Sequence, residues 1–496
     1  MSSLNPTLIT FLFYIVAMVV IGLFAYRATT NFSDYILGGR RLGSFVTALS
    51  AGASDMSGWL LMGLPGAIYL SGLSEMWIAI GLIIGAWLNW LLVAGRLRVH
   101  TEVQHNALTL PDYFSNRFND QKKVLRVVSA CVILIFFAIY CASGMVAGAR
   151  LFESMFNMSY STALWISAIA TISYVFIGGF LAVSWTDTIQ AGFMIFALLL
   201  TPIVALLSFS DLSQVTLALD AARPAASDIL GNLSFVAIIS LLAWGLGYFG
   251  QPHILVRFMA ADSVKSIPNA RRIGMTWMTL CLGGAVAAGY VGIAFFQANP
   301  TLAQVVNSNP ETVFMELTKI LFNPWVAGIV LAAILAAIMS TLSCQLLVCS
   351  STLTEDFYKS FLRKNASQKE LVWVGRLMVL LIAILAIVLA SNPESKVLGL
   401  VAYAWAGFGA AFGPLIILSL FWKRMTRNGA LTGMIVGAAV VILWKNLFAE
   451  TGLYEIIPGF ICSLIAIIVV SLLGKAPQAD ITDRFDEADR LYKASK

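Results

Sequence analysis

Long apolar runs of roughly 20 residues, separated by short polar segments, recur along the whole chain. A helical run of this length crosses the hydrocarbon core of a bilayer, which is about 30 Å thick. Thirteen such runs are predicted, and they lie near 7–26, 44–68, 75–95, 127–149, 161–183, 187–207, 230–250, 274–297, 325–353, 371–390, 397–421, 429–448 and 455–474. The pattern predicts an all-α integral membrane protein with about 13 transmembrane helices.

The composition excludes several classes of function. Hydrophobic residues make up 59% of the 496 positions, charged residues only 11%, and the mean hydropathy is +0.86. A soluble domain could not bury so much apolar surface. The net charge of +6 comes from basic residues between apolar runs, which gives no support to nucleic-acid binding. Six cysteines lie in apolar runs without a CxxC pair, and are interpreted as packing residues.

The basic residues predict how the helices are oriented. Alternate loops and the tail carry 26 of the 31 Lys and Arg, Arg257 among them, which by the positive-inside rule places those loops in the cytoplasm. The N-terminus is then expected outside and the C-terminus in the cytoplasm, which requires an odd number of spans. The first apolar run has no basic residue before Arg27, so it is interpreted as a retained helix rather than a signal peptide.

Two apolar runs contain residues that interrupt a helix. Positions 50–59 of the second run hold two glycines, several hydroxyl side chains and a carboxylate, and positions 244–252 of the seventh run hold three glycines and a proline. Paired interruptions five helices apart indicate a transporter built from two inverted repeats. Helices 2 and 7 are therefore expected to be broken, with helices 2–6 and 7–11 forming the repeats.

This arrangement predicts the organisation of the chain. The expected segments are 1–43 (first transmembrane helix and cytoplasmic loop), 44–207 (inverted repeat 1), 208–421 (inverted repeat 2 with outer loops), 422–474 (helices 12 and 13) and 475–496 (cytoplasmic tail). The tail is mixed in charge and amphipathic, and is expected to be solvated or to rest on the membrane surface.

Oxygen atoms near the first interruption suggest a cation site. Asp55 places a carboxylate in an apolar run, which is costly without a partner and indicates function. Ala337, Ser340 and Thr341 share one face of helix 9. Together with carbonyls freed at the break they could surround a monovalent ion. Ordinary packing, with each hydroxyl bonded to its own helix, is the open alternative.

Aromatic residues near the second interruption suggest an organic ligand. Trp244 and Tyr248 lie one turn apart, and Tyr140 is a further candidate in helix 4. Aromatic faces attract ammonium groups, and a phenol can bond a carboxylate. Since the chain holds 58 aromatic residues (13 Trp, 14 Tyr and 31 Phe), a core or interfacial role remains open for each.

Three further polar features carry less specific signals. Asp187 is placed at the cytoplasmic start of helix 6, where it could cap that helix or take part in coupling. Arg40 is either a positive-inside anchor or half of a gating ion pair. The histidines, including His253, are placed in cytoplasmic loops, which gives no support to a proton relay. Motifs of hydrolases, metalloproteases and nucleotide-binding enzymes are absent from the sequence, so no enzymatic activity is expected.

Several motifs resemble the sodium/solute symporters. They lie at 176–190, 251–260 and 337–341, and the segments 36–44, 51–59 and 344–349 resemble the bacterial members that carry proline. The similarity extends over essentially the whole chain. It implies the leucine-transporter-type fold of five plus five inverted helices with three additional spans.

The resemblance also implies roles for individual residues. One Na⁺ would be held by Ala53, Met56, Ala337, Ser340 and Thr341. L-Proline would be bound by Asp55, Ser57, Gly58, Tyr140, Trp244, Tyr248 and Pro252. Arg40 and Asp187 would serve coupling or gating, and a second ion near Asp187 and Ser343 is left open.

The expected function is therefore secondary active transport: Na⁺-coupled uptake of L-proline by alternating access in a bacterial inner membrane. Na⁺ would be the co-transported ion, and no nucleic acid or obligate protein partner is expected. Another amino acid or organic acid as cargo keeps the same fold and is an alternative. A membrane enzyme or sensor would need a catalytic cluster or a signalling domain, and neither is evident in the sequence.

Overall fold

Helices account for nearly all regular structure in the computed structural model, which describes residues 5–28, 31–231 and 233–495. The ends of the predicted segments 1–43 and 475–496 therefore lie partly outside the described residues. Within these ranges there is no β-strand, and Leu42 and Ala261 pair their backbones as an isolated bridge.

The α-helices have the following bounds. The first are α1 (Pro6–Ala28), α2 (Phe32–Leu37), α3 (Ser44–Asp55), α4 (Leu64–Ser71), α5 (Met76–Leu88), α6 (Gly95–Val103), α7 (Leu110–Arg117), α8 (Val124–Phe156), α9 (Tyr160–Leu207) and α10 (Leu212–Ala222). They continue as α11 (Phe235–Leu242), α12 (Pro252–Ala260), α13 (Ile267–Ala298), α14 (Gln304–Ser308), α15 (Val313–Leu321), α16 (Pro324–Ser351), α17 (Gln368–Leu389), α18 (Val397–Phe421), α19 (Arg427–Leu447), α20 (Ile456–Leu473) and α21 (Ala479–Ala494). The wider turns of a π-helix occur at Trp59–Gly63, Asn89–Ala94 and Thr352–Leu362, and the longest 3₁₀ segment is Ala243–Gly250.

Ten helices in the described ranges are long and apolar enough to cross a membrane. An eleventh is added if Phe235–Gly250 and Pro252–Ala260, which meet at a bend of 44°, count as one span. The sequence predicts thirteen. The predicted second span falls short by length because it divides into α3 and the 13-residue apolar piece Trp59–Ser71.

The predicted boundary between spans 161–183 and 187–207 is shifted by a few residues, because α9 covers both spans but consists of two helices that meet at a kink. Its hydroxyl side chains satisfy themselves within the helix: Ser184 donates to the Phe180 carbonyl at 2.9 Å, and Thr186 to the Ala182 carbonyl at 3.0 Å. Polar residues that resemble a loop in the sequence are thus helical. The helix instead bends at Gly179, whose φ of +63° favours glycine.

The core of the molecule surrounds α16. In its most apolar stretch 89% of the residues are buried, against 22% for α1 and 28% for each of α19 and α20. Helices α1, α19 and α20 therefore lie at the periphery and present apolar side chains to lipid. This places the centre of α16 against the interrupted segment after α3.

Glycine allows an unusually close contact between α5 and the 3₁₀ segment Ala243–Gly250. A Cβ on Gly85 would lie 2.5 Å from the Cα of Gly245, and one on Gly81 would lie 2.8 Å from the Cα of Leu242. Side chains at these positions would separate the two backbones. The contact places the second interruption directly beside the third predicted span.

The tail forms a helix that packs on the protein, which differs from the solvated or membrane-surface tail expected from its composition. Phe485 and Tyr492 of α21 are buried, and Asp489 pairs with Arg96 of α6 at 2.6 Å. The guanidinium of Arg117 lies 4.9 Å from the centre of the Phe485 ring. An apolar face with flanking charge pairs explains the docking.

Candidate functional site

The first interruption frees a backbone carbonyl in the centre of the molecule. α3 ends at Asp55, and Met56 leaves the helical conformation with φ −78° and ψ 79°. A continuous helix would direct the Ser57 N–H to the Ala53 carbonyl, but this N–H donates to the Asp55 carbonyl at 2.9 Å. The Ala53 carbonyl is therefore available to another partner.

Hydroxyl groups of α16 occupy that carbonyl. Ser340 Oγ donates to the Ala53 carbonyl at 2.8 Å, and Thr341 Oγ1 lies within donating distance at 3.2 Å. Ser340 Oγ is also 3.0 Å from the Ala337 carbonyl. Four of the five oxygen sources predicted for Na⁺ thus meet in one buried cluster, and Met56 lies fully buried at the break beside them.

The second interruption has a different set of partners. In the segment Ala243–Gly250 the carbonyls of Trp244, Gly247 and Tyr248 accept hydrogen bonds from side-chain N–H groups. The donors are the indole of Trp405 at 2.7 Å, the amide of Gln251 at 3.1 Å and the amide of Asn89 at 3.0 Å. Pro252 begins α12 directly after this segment, where its missing N–H costs nothing.

Aromatic rings connect the two interruptions. The Trp244 ring centre lies 6.4 Å from that of Trp59 and 5.6 Å from that of Tyr454. The Tyr248 ring stands edge-on to Trp405 at 5.1 Å. These rings form an apolar wall beside the break in α3.

Asp55 links the wall to the first interruption. Its Oδ2 accepts a hydrogen bond from the Tyr248 hydroxyl, and its backbone carbonyl is 3.4 Å from the Tyr140 hydroxyl. Its Oδ1 is buried and has no hydrogen-bond partner among the described residues. A buried carboxylate oxygen of this kind is suited to a positively charged or donating ligand.

The remaining predicted substrate residues are at the same place. Ser57 is buried, and its Oγ lies 3.4 Å from the backbone nitrogen of Trp59. Gly58 lies against α8 and α16, where a Cβ would come within 2.7 Å of the Ala147 Cβ. Glycine at this position therefore permits the close approach of three segments.

Asp187 is in a separate buried charge cluster. It lies inside α9, so the prediction that it caps the start of a helix is wrong. Its Oδ2 accepts from Ser50 Oγ at 2.7 Å and pairs with Arg257 Nη2 at 3.4 Å. Arg257 also donates to the sulfur of Cys344. The cluster connects α3, α9, α12 and α16.

The sequence interpretation placed Arg257 and His253 in a cytoplasmic loop, and this is wrong. Both are fully buried in α12, because the helix that follows the second break continues to Ala260. The His253 ring stands edge-on to Tyr140 at 5.8 Å. Arg257 pairs with a carboxylate, as a buried guanidinium requires.

Arg40 connects α6 and the residues after it with the end of α12 through neutral oxygen atoms, and it forms no ion pair with any residue that the structure describes. Its guanidinium donates to the Met259 carbonyl at 2.5 Å, to the Ala107 carbonyl at 2.8 Å and to Asn106 Oδ1 at 2.8 Å. Burial lowers the pKa of Arg40 to about 10, so the group stays charged at neutral pH.

Sequence reasoning missed Trp59, Trp405 and Tyr454, which belong to the aromatic wall. Trp59 ends the 50–59 motif and could have been included from its position. Trp405 lies in the eleventh predicted span, and Tyr454 lies in the loop before the thirteenth. No local pattern in the sequence identifies either residue. Their role depends on long-range packing alone.

Comparison with known proteins gives a consistent result. The sequence profile of the Sodium:solute symporter family matches residues 35–437. The sodium/proline symporter of Escherichia coli (strain K12) is 67% identical over 100% of this chain and 98% of its own length. That of Haemophilus influenzae is 63% identical, with both chains covered completely. A high-affinity proline transporter of Bacillus subtilis is 55% identical over 95% of this chain and 98% of its own. These relatives are transporters rather than enzymes.

Solved structures give the fold. A substrate-bound, outward-open Na⁺-coupled sialic acid symporter has a TM-score of 0.81 at 18% identity, covering 95% of this chain and 99% of its own. A nucleobase-cation-symport-1 family transporter in a closed conformation has a TM-score of 0.53 at 14% identity, covering 93% of this chain and all of its own. The helical architecture is that of a multi-pass membrane transporter.

Proposed function

The chain belongs to the sodium:solute symporter family, and from this we infer that it takes up L-proline together with Na⁺ across a bacterial membrane. Three curated relatives named sodium/proline symporters are 63–67% identical over essentially their full length. Na⁺ is the co-transported ion, and L-proline and the lipid bilayer are the other partners.

One observation carries the assignment of the ion site: two hydroxyl groups of α16 meet the carbonyl that the break in α3 sets free. Na⁺ is bound by the oxygens of Ala53, Met56, Ala337, Ser340 and Thr341, with backbone carbonyls from the first three. A hydroxyl that now donates to one of these carbonyls can rotate, so that its lone pair and the carbonyl oxygen both face a cation bound between them. Neutral oxygens suit a monovalent ion better than a divalent ion, which calls for carboxylates.

The proline pocket lies between the two interruptions. The spare Oδ1 of Asp55 accepts from the secondary ammonium of proline. The faces of Trp244 and Tyr248 cover the pyrrolidine ring, and Tyr140, Ser57 and Gly58 complete the wall near the break. Pro252 ends the broken segment and fixes the start of the second half-helix.

Coupling follows from the shared position of the two ligands. Na⁺ fixes α3 against α16 and thereby orients Asp55, so proline binds more tightly, and linkage requires the reverse effect as well. Rocking of one group of helices then exposes both ligands to the cytoplasm. An interior-negative potential contributes about 2.3 kcal/mol per 100 mV for one inward charge.

Asp187 and Arg40 act in coupling rather than in ligand contact. Asp187 and Arg257 hold the cytoplasmic half of α3 through Ser50, and Arg40 connects α6 with the end of α12. The proximity of the Arg257 guanidinium makes a second cation at Asp187 and Ser343 unfavourable.

Thirteen spans form the membrane domain. Two are added to the eleven counted by length: the broken helix of α3 and Trp59–Ser71, and the first part of the bent α9. The kink at Gly179 divides α9, so that the part before it, about 28 Å long, and the part Gly179–Leu207 are each long enough for one crossing. Segments 44–207 and 208–421 are the inverted repeats of a leucine-transporter-type fold, with helices 2 and 7 broken. The first helix, the pair in 422–474 and the tail 475–496 lie outside them, with the N-terminus outside and the C-terminus in the cytoplasm.

Uptake of labelled L-proline by proteoliposomes tests this function. An inward Na⁺ gradient should drive accumulation, K⁺ at the same concentration should not, and an interior-negative potential should increase the rate. Unlabelled amino acids and organic acids added in excess identify the cargo. Full-rate uptake without Na⁺, or complete competition by a compound other than a proline analogue, would refute the assignment.

A further inference from the structure

A groove with an uncompensated positive charge lies away from the ligand site. It has a volume of about 360 Å³ and is bounded by the end of the third predicted span, the start of α13 and the tail helix α21. Trp90 and Leu91 form its apolar side, and Lys265 and Arg271 line the other. None of the described residues that line it is acidic.

The tail helix gives this groove a fixed wall. Tyr492 lies so close to α6 that a Cβ on Gly95 would come within 2.8 Å of its ring. The Arg96 guanidinium stacks over the Tyr492 ring at 4.9 Å and pairs with Asp489 at 2.6 Å. Arg96 is thereby neutralised, and Asp489 is occupied. The groove is therefore built by tertiary packing rather than by a single exposed loop.

The two remaining cations have no acidic partner. Within the part of the chain that the structure describes, neither Lys265 nor Arg271 forms a salt bridge or a side-chain hydrogen bond. Lys265 is exposed, and Arg271 is half-buried in the first two turns of α13. Two adjacent cations without a carboxylate create a positive potential that attracts an anion.

The apolar side identifies the kind of anion. Leu91 is 39% exposed and faces outward from a helix that crosses the membrane, next to the exposed Leu92. A soluble anion gains nothing from such a surface, whereas acyl chains do. With the orientation given under Proposed function, the groove is at the cytoplasmic leaflet, where basic pockets between helices bind anionic lipid headgroups.

We propose that this groove is a binding site for an anionic phospholipid, with its phosphate between Lys265 and Arg271 and its acyl chains along Trp90 and Leu91. The lipid thereby contacts the third span, α13 and the docked tail at once. The proposal rests on the orientation inferred above but not on the identity of the transported solute.

Native mass spectrometry of the full chain in detergent tests the proposal without any transport measurement. Phosphatidylglycerol should remain bound more strongly than phosphatidylcholine with the same acyl chains. Lys265→Gln combined with Arg271→Gln should reduce phosphatidylglycerol affinity about tenfold or more and leave phosphatidylcholine unchanged. The matched control is Lys122→Gln combined with Arg272→Gln, which removes two exposed cytoplasmic cations that do not line the groove.

Three results would overturn the proposal. An equal loss of phosphatidylglycerol affinity in the groove variant and in the control variant would mean that net charge alone attracts the lipid. Equal binding of the two lipids by the wild-type chain would remove the role of the cations. Displacement of the lipid by millimolar glycerol phosphate would identify a small-anion site instead. Because Na⁺ and proline are absent from this assay, its failure would leave the transport function untouched.

Discussion

The two interrupted helices differ in the groups that satisfy their freed carbonyls. At the break in α3, Ala53 accepts from the hydroxyls of Ser340 and Thr341. In the segment Ala243–Gly250, indole and amide N–H groups occupy the carbonyls. Both breaks free backbone carbonyls in the centre of a membrane protein, and each of the carbonyls named here accepts a hydrogen bond from a side chain.

This difference separates an exchangeable site from a permanent one. A hydroxyl donates one hydrogen and keeps lone pairs, so it can rotate and coordinate a cation. An indole N–H has no lone pair to offer, and repels a cation at the same position. The first break can therefore accept Na⁺ among its hydroxyl groups, whereas the Trp244 carbonyl of the second break is held by a donor that cannot bind a cation.

Among the substitutions that test this comparison, Asp55→Asn should have the largest effect on proline uptake. The amide keeps the shape and can accept from Tyr248, but it removes the charge beside both ligands. Proline uptake at saturating Na⁺ should fall by about 100-fold or more, the equivalent of about 3 kcal/mol. Initial rates in proteoliposomes measure this. Glu75→Gln, at the start of the third predicted span, is the control and should transport normally.

Thr341→Val tests the hydroxyl side of the comparison directly. The substitution deletes one oxygen with little change in shape, so the Na⁺ concentration for half-maximal uptake should rise about tenfold. Thr318→Val is the matched control, because that buried hydroxyl bonds only to its own helix, at the Phe314 carbonyl. An unchanged Na⁺ dependence in Thr341→Val would remove this oxygen from the ion site.

Trp244→Ala tests the role of the aromatic wall between the two breaks. Loss of the ring that faces Trp59 and Tyr454 should raise the proline concentration for half-maximal uptake by about tenfold, with a smaller change in Na⁺ dependence. Trp373→Ala, which removes a tryptophan that is 61% exposed, should change neither. If Na⁺ dependence shifted more than proline dependence, the two breaks would not have separate roles.

The smallest effect on transport is expected from Trp405→Phe. This variant leaves the Trp244 carbonyl without its indole donor, which should cost about 1–3 kcal/mol of stability. A lower thermal unfolding temperature in detergent, with Na⁺ dependence close to that of the wild type, is the expected result. A shift in Na⁺ dependence as large as that of Thr341→Val would contradict the distinction between hydroxyl and N–H partners.

Local sequence pattern accounts for much of the site. Small and hydroxyl residues at 50–59 and the spacing of Ala337, Ser340 and Thr341 identify the first break and its partner helix. Each signal lies within one or two turns, so it is legible without knowledge of the tertiary structure. The span pattern likewise predicts an all-helical membrane protein, although hydroxyls bonded within α9 make residues 184–186 helical and the break lies earlier, at Gly179.

Other parts of the site depend on contacts that no local pattern reports. Arg257 is grouped with loop cations by its charge, yet it follows a proline that starts a buried half-helix and meets Asp187 from 70 positions away. Tyr454 reaches Trp244 from the loop between the last two predicted spans. Such partners are fixed by packing between segments that are far apart in the chain.

The close contact of Gly81 and Gly85 with the second interruption has a mechanical consequence. Segments that lack regular helical hydrogen bonds are the usual places for a chain to flex. Here the backbone of Gly245 lies directly against α5 with no side chain between them. Bending at Gly245 would therefore have to separate these two packed segments. The second break is therefore held rigid, and we expect it to move together with the third span as one rigid body throughout the transport cycle.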